Sequence, residues 1–95
     1  MQNNQNFRIT EDLFMPYCVM HNKKFNSRQR IILAWVIQHS PYRANSLELA
    51  TLISGSTQTA QRTLRELCAM GYIVETKNDG RGKTYKSVDW RVLNG

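Results

Sequence analysis

A cluster of long polar side chains follows a short glycine-containing turn in the middle of the chain. Gln58, Gln61, Arg62 and Arg65 recur there at intervals of three and four residues, interleaved with apolar positions. A glutamine amide can make paired hydrogen bonds to adenine, and an arginine guanidinium can make them to guanine. These residue types at this spacing therefore predict a helix face that presents hydrogen-bonding groups to the edges of bases.

A helix before the turn must hold that face in place. Asn45, with Glu48 three residues later, has the pattern of a capping box, so we expect a helix to begin at Asn45. Its apolar positions repeat at helical spacing: Leu47, Ala50 and Ile53, widened by Leu49 and Leu52. The pair Ser54-Gly55 ends this helix, because Gly55 accepts at low cost the positive φ that a tight turn needs.

The polar face lies on a second helix, predicted over residues 57–70. Ser56 is a favourable N-cap for it, and Gly71 is a favourable stop at its C-terminus. Its predicted inward positions are Ala60, Leu64, Leu67 and Cys68. Because Ala60 is small and comes early, the two helices can approach closely, as a helix-turn-helix pair requires.

Two segments precede this pair. Thr10 is expected to cap a short helix that Pro16 interrupts, since proline breaks a helix interior. Ser27 is expected to cap a longer helix over residues 28–38, with Trp35 in the core. The sequence thus predicts three main helices, preceded by an extra N-terminal segment.

Two predicted strands follow the helices. Residues 72–77 and 83–88 are rich in β-branched and aromatic residues, and a glycine-containing loop separates them, so they predict a hairpin. Tyr72 and Tyr85 are expected to be cross-strand partners. Arg81 lies at the predicted tip of this hairpin, between Gly80 and Gly82, where an arginine side chain could enter an adjacent minor groove of DNA.

Charge indicates the class of partner. Thirteen Lys and Arg against seven Asp and Glu give the 95 residues a net charge of +6. Such an excess favours a polyanion, above all nucleic acid. No apolar run approaches the roughly 18 residues of a membrane span, and the polar N-terminus does not resemble a signal peptide, so we expect a cytoplasmic protein.

Catalytic and metal chemistry find little support in the sequence. Cys18 and Cys68 are expected to be buried or half-buried reduced thiols. Cys18 and His21 form a C-x-x-H pair, but no second pair with metal-ligand spacing follows. We therefore expect no enzyme activity, no cofactor, no metal and no small-molecule substrate.

Some of these residues match the pattern of a known protein family. The run from Leu49 to Ile73 resembles the core of bacterial winged helix-turn-helix regulators, including those of the MarR and PapI types. Matching positions are Thr59, Ala60, Arg62, Leu64, Leu67 and Gly71-Tyr-Ile73. The segment 79–85 is similar to the Gly-Arg-Gly wings of that superfamily. The turn departs from the usual Gly-Val before serine, since Ser54-Gly55 stands there.

A second resemblance reaches the N-terminal segment. Phe7-Arg-Ile9, followed after a connector by Ser27-Arg-Gln-Arg30, is similar in layout to the origin-binding domains of phage replication initiators of the lambda O type. Both resemblances imply the same fold, but the first implies regulation of transcription and the second implies binding to a replication origin.

The sequence thus predicts an α+β winged helix-turn-helix domain over residues 7–95, with a disordered tail at 1–6 and a minimal motif at about 27–88. Its expected function is sequence-specific binding of double-stranded DNA as a small, nucleoid-associated transcriptional regulator that acts as a homodimer. The candidate interfaces between copies are 13–20 and 90–93. The alternatives are an origin-binding domain of a phage or plasmid replication initiator and, from another class, a winged-helix protein–protein adaptor.

The predicted contacts with DNA divide into two groups. Base-reading side chains on the helix over 57–70, which would enter the major groove, are Thr57, Gln58, Gln61 and Arg62. Backbone contacts are assigned to Ser56, Arg65, Lys77, Lys83 and Lys86. The wing over 77–86 would lie on the backbone or the minor groove, with Arg81 at its tip.

Overall fold

Four helices and a three-stranded antiparallel sheet make up the chain in a computed structural model, which describes residues 8–78, 80 and 82–88. In chain order the elements are α1 (Tyr17–Met20), α2 (Ser27–Gln38), β1 (Tyr42–Arg43), α3 (Ser46–Ile53), α4 (Thr57–Ala69), β2 (Ile73–Asn78) and β3 (Lys83–Ser87). This α+β order confirms the predicted three main helices followed by a hairpin. None of the described helices is long and apolar enough to cross a membrane.

Helix α2 supplies the centre of the core. Ile32, Leu33 and Val36 have no exposed surface, and Trp35 is 2% exposed, which confirms the core position predicted for it. Helices α3 and α4 pack against α2, and the sheet covers it through β3. The core residues outside α2 are Cys18, Val19, Phe25, Tyr42, Leu49, Ala60, Leu64, Leu67, Ile73 and Tyr85.

The sheet contains a strand that the sequence did not predict. Its order is β1-β3-β2, with Tyr42 opposite Tyr85 and Ile73 opposite Ser87. The expected pairing of Tyr72 with Tyr85 is therefore wrong. Tyr72 precedes β2 and packs edge-on against Phe25, with ring centroids 4.9 Å apart.

Helix α2 begins one residue earlier than its predicted cap implies. Asn26, not Ser27, is the N-cap, and its side chain accepts a hydrogen bond from the backbone N–H of Gln29. The Gln29 side chain accepts one in return from the Asn26 backbone, which completes a capping box. Ser27 is the first helical residue. Both serine and asparagine are good caps, so the reciprocal glutamine decides between them.

The short helix predicted from Thr10 is absent from the described structure, since residues 8–16 contain no helix. Helix α1 begins only after Pro16, which lies at its N-cap. Gln38 holds the segment before it: its Oε1 accepts from the Phe14 backbone N–H at 2.8 Å, and its Nε2 donates to Glu11 Oε2 at 2.8 Å. Hydrogen bonds to a residue at least 24 positions away in the sequence thus stabilise this segment in a non-helical conformation.

Candidate nucleic-acid interface

A tight turn joins α3 to α4. Ser54 adopts the left-handed conformation with φ of 53°, and the Gly55 N–H donates to the Ala50 carbonyl at 2.9 Å. The expectation that Gly55 carries the positive φ is therefore wrong by one residue. The Ser56 hydroxyl accepts from the Thr59 N–H at 3.0 Å, which confirms its predicted role as the N-cap of α4.

One face of α4 is exposed along its length. Gln58, Gln61, Arg62 and Arg65 are all exposed as predicted, opposite Ala60, Leu64 and Leu67, which are buried as predicted. Cys68 is half-buried and packs against the core, which confirms its predicted inward position. The buried set also includes Thr63, which the sequence did not assign there and whose Oγ1 donates to the Thr59 carbonyl at 2.8 Å.

Gln61 lies on the flank of this face that is turned towards α3. Its Nε2 donates a hydrogen bond of 3.0 Å to the hydroxyl of Ser46, the first residue of α3. At about 100° per residue, Gln61 is rotated well away from Arg62 towards Leu64. Gln61 therefore lies nearer the edge of the exposed face than Gln58, Arg62 and Arg65 do. Thr57 is half-buried at the start of the helix.

The opposite flank of α4 carries its one carboxylate. Glu66 is half-buried, and its Oε1 accepts a hydrogen bond of 3.1 Å from Gln29 of α2. The exposed side chains within α4 therefore include two arginines and no acid. A face of this composition repels no anion and offers several hydrogen-bond donors.

A half-buried carboxylate, that of Glu48, links α3 to α2. Trp35 Nε1 donates to Glu48 Oε1 at 2.9 Å, and the Tyr42 hydroxyl donates to the same oxygen. Glu48 therefore does not complete the predicted capping box, and only the Asn45 side chain caps α3, by accepting from two backbone N–H groups. Burial, the hydrogen bond to Glu48 and its negative charge raise the pKa of Tyr42 well above its usual value.

The helical positions of α3 also differ in part from the prediction. Leu49 and Ala50 are buried, whereas Leu47 is 42% exposed. Leu52 and Ile53 are partly buried against the core. The apolar stripe is therefore centred on residues 49 and 50, and Leu47 lies at its solvent edge.

The hairpin presents its lysines on two different faces. Lys83 and Tyr85 are two residues apart on β3 and share the face that Tyr85 buries against the core, whereas Lys86 points to the opposite face. Lys77 lies opposite Thr84, on the same side as Lys86. The structure thus brings Lys83 to the side of α4, but not Lys77 or Lys86. Arg81, the predicted tip residue, lies outside the described residues, as does the segment 90–93.

The thiols have the predicted environments. Cys18 is buried and Cys68 half-buried, and burial raises the pKa of the Cys68 thiol, with the nearby Glu75 carboxylate adding to the effect. Within the described part of the chain, no three His, Cys, Asp or Glu side chains are grouped in a way that could hold a metal ion.

Sequence reasoning missed two residues that shape this surface. Ser46 is a first helical residue with no motif of its own, and its contact with Gln61 spans 15 positions. Tyr42 lies in a strand of two residues, too short for a period of two to be visible.

Comparison of the chain with protein-family models, with curated protein sequences and with solved structures finds no match.

Proposed function

We propose that this chain is a winged helix-turn-helix domain that binds double-stranded DNA, with α4 in the major groove and the β2–β3 hairpin as the wing. The element order and the sheet order β1-β3-β2 are compatible with such a domain. A helix with its side chains is about 10–12 Å across, and the major groove is about 12 Å wide, so α4 fits the groove.

The exposed face of α4 carries the proposal. Gln58 and Arg62 are exposed on it, and the one carboxylate of the helix is turned aside towards Gln29. Glutamine and arginine offer the paired donors and acceptors that distinguish adenine and guanine in the major groove. Both side chains belong to a helix whose other side is buried, so the core holds their backbone in place.

The net charge supports DNA over a protein partner. A charge of +6 on 95 residues raises affinity for a polyanion and gives a protein adaptor no evident advantage. Base-directed side chains together with general positive charge are the combination of a sequence-specific DNA-binding protein. We propose that its role is to regulate transcription and that it acts without catalysis.

Self-association is part of this proposal. A single helix reads few base pairs, and regulators of this type gain specificity by pairing half-sites about one helical turn apart. Three apolar side chains of the segment 13–20 are exposed, namely Phe14, Tyr17 and Met20, which are 63%, 76% and 48% exposed. A second copy of the chain is the partner that we propose for this surface.

Selection of bound duplexes from a random pool tests the function directly. We expect a recurring sequence, with two half-sites in inverted orientation if two copies bind together. Selected duplexes without any common sequence would contradict base reading. Failure to retain duplex DNA at low salt would contradict DNA binding altogether and favour the adaptor.

A further inference from the structure

A cleft of about 420 Å³ separates α4 from the hairpin. Leu64 and Tyr85 lie at its floor, 3% and 5% exposed, and the exposed Arg65 and Lys83 stand on opposite sides, one on α4 and one on β3. Among the described residues that line it, none is acidic. The Glu75 carboxylate lies beside Lys83, with Oε1 3.7 Å from Nζ. The cleft therefore has an apolar floor between two cations.

Two hydrogen-bond donors complete one wall of the cleft. Gln61 Nε2 donates one of its two hydrogens to Ser46 Oγ at 3.0 Å, and both side chains line the cleft. An amide nitrogen carries a second hydrogen, and a hydroxyl that accepts can still donate its own. The bonded pair thus retains two donors that a ligand oxygen could accept.

The position of the cleft relative to DNA follows from the shape of the duplex. A sugar–phosphate strand separates each major groove from the neighbouring minor groove. If α4 lies in the major groove and the hairpin lies over the next groove, that strand must pass between them. The cleft is the space that the structure leaves between these two elements.

We propose, on the basis of the function proposed above, that this cleft holds a sugar–phosphate unit of one DNA strand. Arg65 and Lys83 neutralise the phosphate, while Gln61 and Ser46 donate hydrogen bonds to its oxygens. The deoxyribose packs on Leu64 and Tyr85. Gln61 is then a backbone contact and not a base-reading residue, in contrast to the role that the sequence predicts for it.

Gln58 and Gln61 provide a matched pair to test this assignment. They are the same residue type on one helix, and only Gln61 is bonded to Ser46. We expect Gln61→Ala to weaken binding of the selected duplex and of a scrambled duplex by the same factor, about three- to tenfold. Gln58→Ala should weaken binding of the selected duplex alone. Thermal unfolding of each variant checks that the fold is kept.

Replacing single phosphates with uncharged methylphosphonate supplies an independent measurement with the full chain. We expect substitution of one phosphate, between the two contacted grooves, to weaken wild-type binding about tenfold. The same substitution should weaken binding by Gln61→Ala and Arg65→Gln much less, because these variants have already lost part of the contact with that phosphate. Equal losses in wild type and variants at every position would overturn the inference, as would a Gln61→Ala loss confined to the selected duplex. Wild-type protein that binds no duplex would instead refute the proposed function itself.

Discussion

The indole of Trp35 and the carboxylate of Glu48 are joined by a hydrogen bond of 2.9 Å from Nε1 to Oε1, which links α2 to α3 inside the domain. Trp35 is 2% exposed, so this donor has no access to bulk water as an alternative partner. The Tyr42 hydroxyl donates to the same oxygen and adds β1 to the junction. Three elements that position α4 therefore meet at one carboxylate.

We predict that Glu48→Ala lowers the free energy of unfolding by about 2–3 kcal/mol. The change leaves two buried donors, on Trp35 and Tyr42, without their acceptor. Chemical denaturation measures the loss. Glu75→Ala is the control, because its exposed carboxylate pairs only loosely with Lys83 and should change stability by less than about 0.5 kcal/mol. Equal effects of the two substitutions would contradict this role of Glu48.

The stability of the fold should decline in alkaline solution. The pKa of Tyr42 is raised in the folded state, so between about pH 10 and that raised value the unfolded chain binds fewer protons than the folded one. The stabilisation is fully present below pH 10 and is lost as the pH rises further, by up to about 1.4 kcal/mol per pH unit for one group.

Two tyrosine variants isolate this effect. Tyr42→Phe should flatten the decline in unfolding free energy above pH 10, whereas Tyr17→Phe, at a position 76% exposed, should leave it as in wild type. Burial also raises the pKa of Tyr85, so some dependence should remain in Tyr42→Phe. If both variants keep the wild-type slope, Tyr42 is not its source.

Binding to duplex DNA should depend strongly on salt. The candidate cations are Arg62 and Arg65 on α4, Lys83 on the hairpin face turned towards α4, and Arg81, which the sequence places at the wing tip. If about four phosphates are neutralised, log K should fall against log[salt] with a slope of about −3.6. Titrations between low and physiological salt measure the slope. An affinity that is independent of salt would favour a protein-binding role.

The two faces of the hairpin should differ in their effect on DNA. Lys83 lies on the side of α4, and Lys86, three residues later on the same strand, points away from it. We expect Lys83→Ala to weaken duplex binding by about 1 kcal/mol and to reduce the salt slope by about 0.9. Lys86→Ala serves as the control and should change affinity by less than about 0.3 kcal/mol. A larger loss from Lys86→Ala would place the DNA on the other face.

Local signals predicted the helices and the hairpin well. The predicted bounds of α4 agree with the structure to within one residue. They could be predicted because Ser56 and Gly71 mark the ends of the helix through their own backbone preferences. The cap of α2 was missed because Asn26 and Ser27 are both good capping residues. The segment before Pro16 was misassigned because Gln38, which is distant in sequence, holds it.

The candidate site was predicted in its residue types and less well in its geometry. Helical periodicity correctly placed Gln58, Arg62 and Arg65 on an exposed face. It could not reveal the bond from Gln61 to Ser46, which depends on how closely α3 and α4 pack. Period-two alternation already assigns Lys83 and Lys86 to opposite faces of β3, but it could not show which of the two faces is turned towards α4.

The most direct test of base reading by α4 compares Arg62→Ala on two duplexes, the selected sequence and a scrambled version of it. Arg62 is exposed on α4 and does not line the cleft towards the hairpin, so its loss should cost about 1–3 kcal/mol on the selected duplex and almost nothing on the scrambled one. Arg65→Ala, on the flank towards the hairpin, should weaken both alike. Equal losses from Arg62→Ala on the two duplexes would contradict the claim that α4 reads sequence in the major groove.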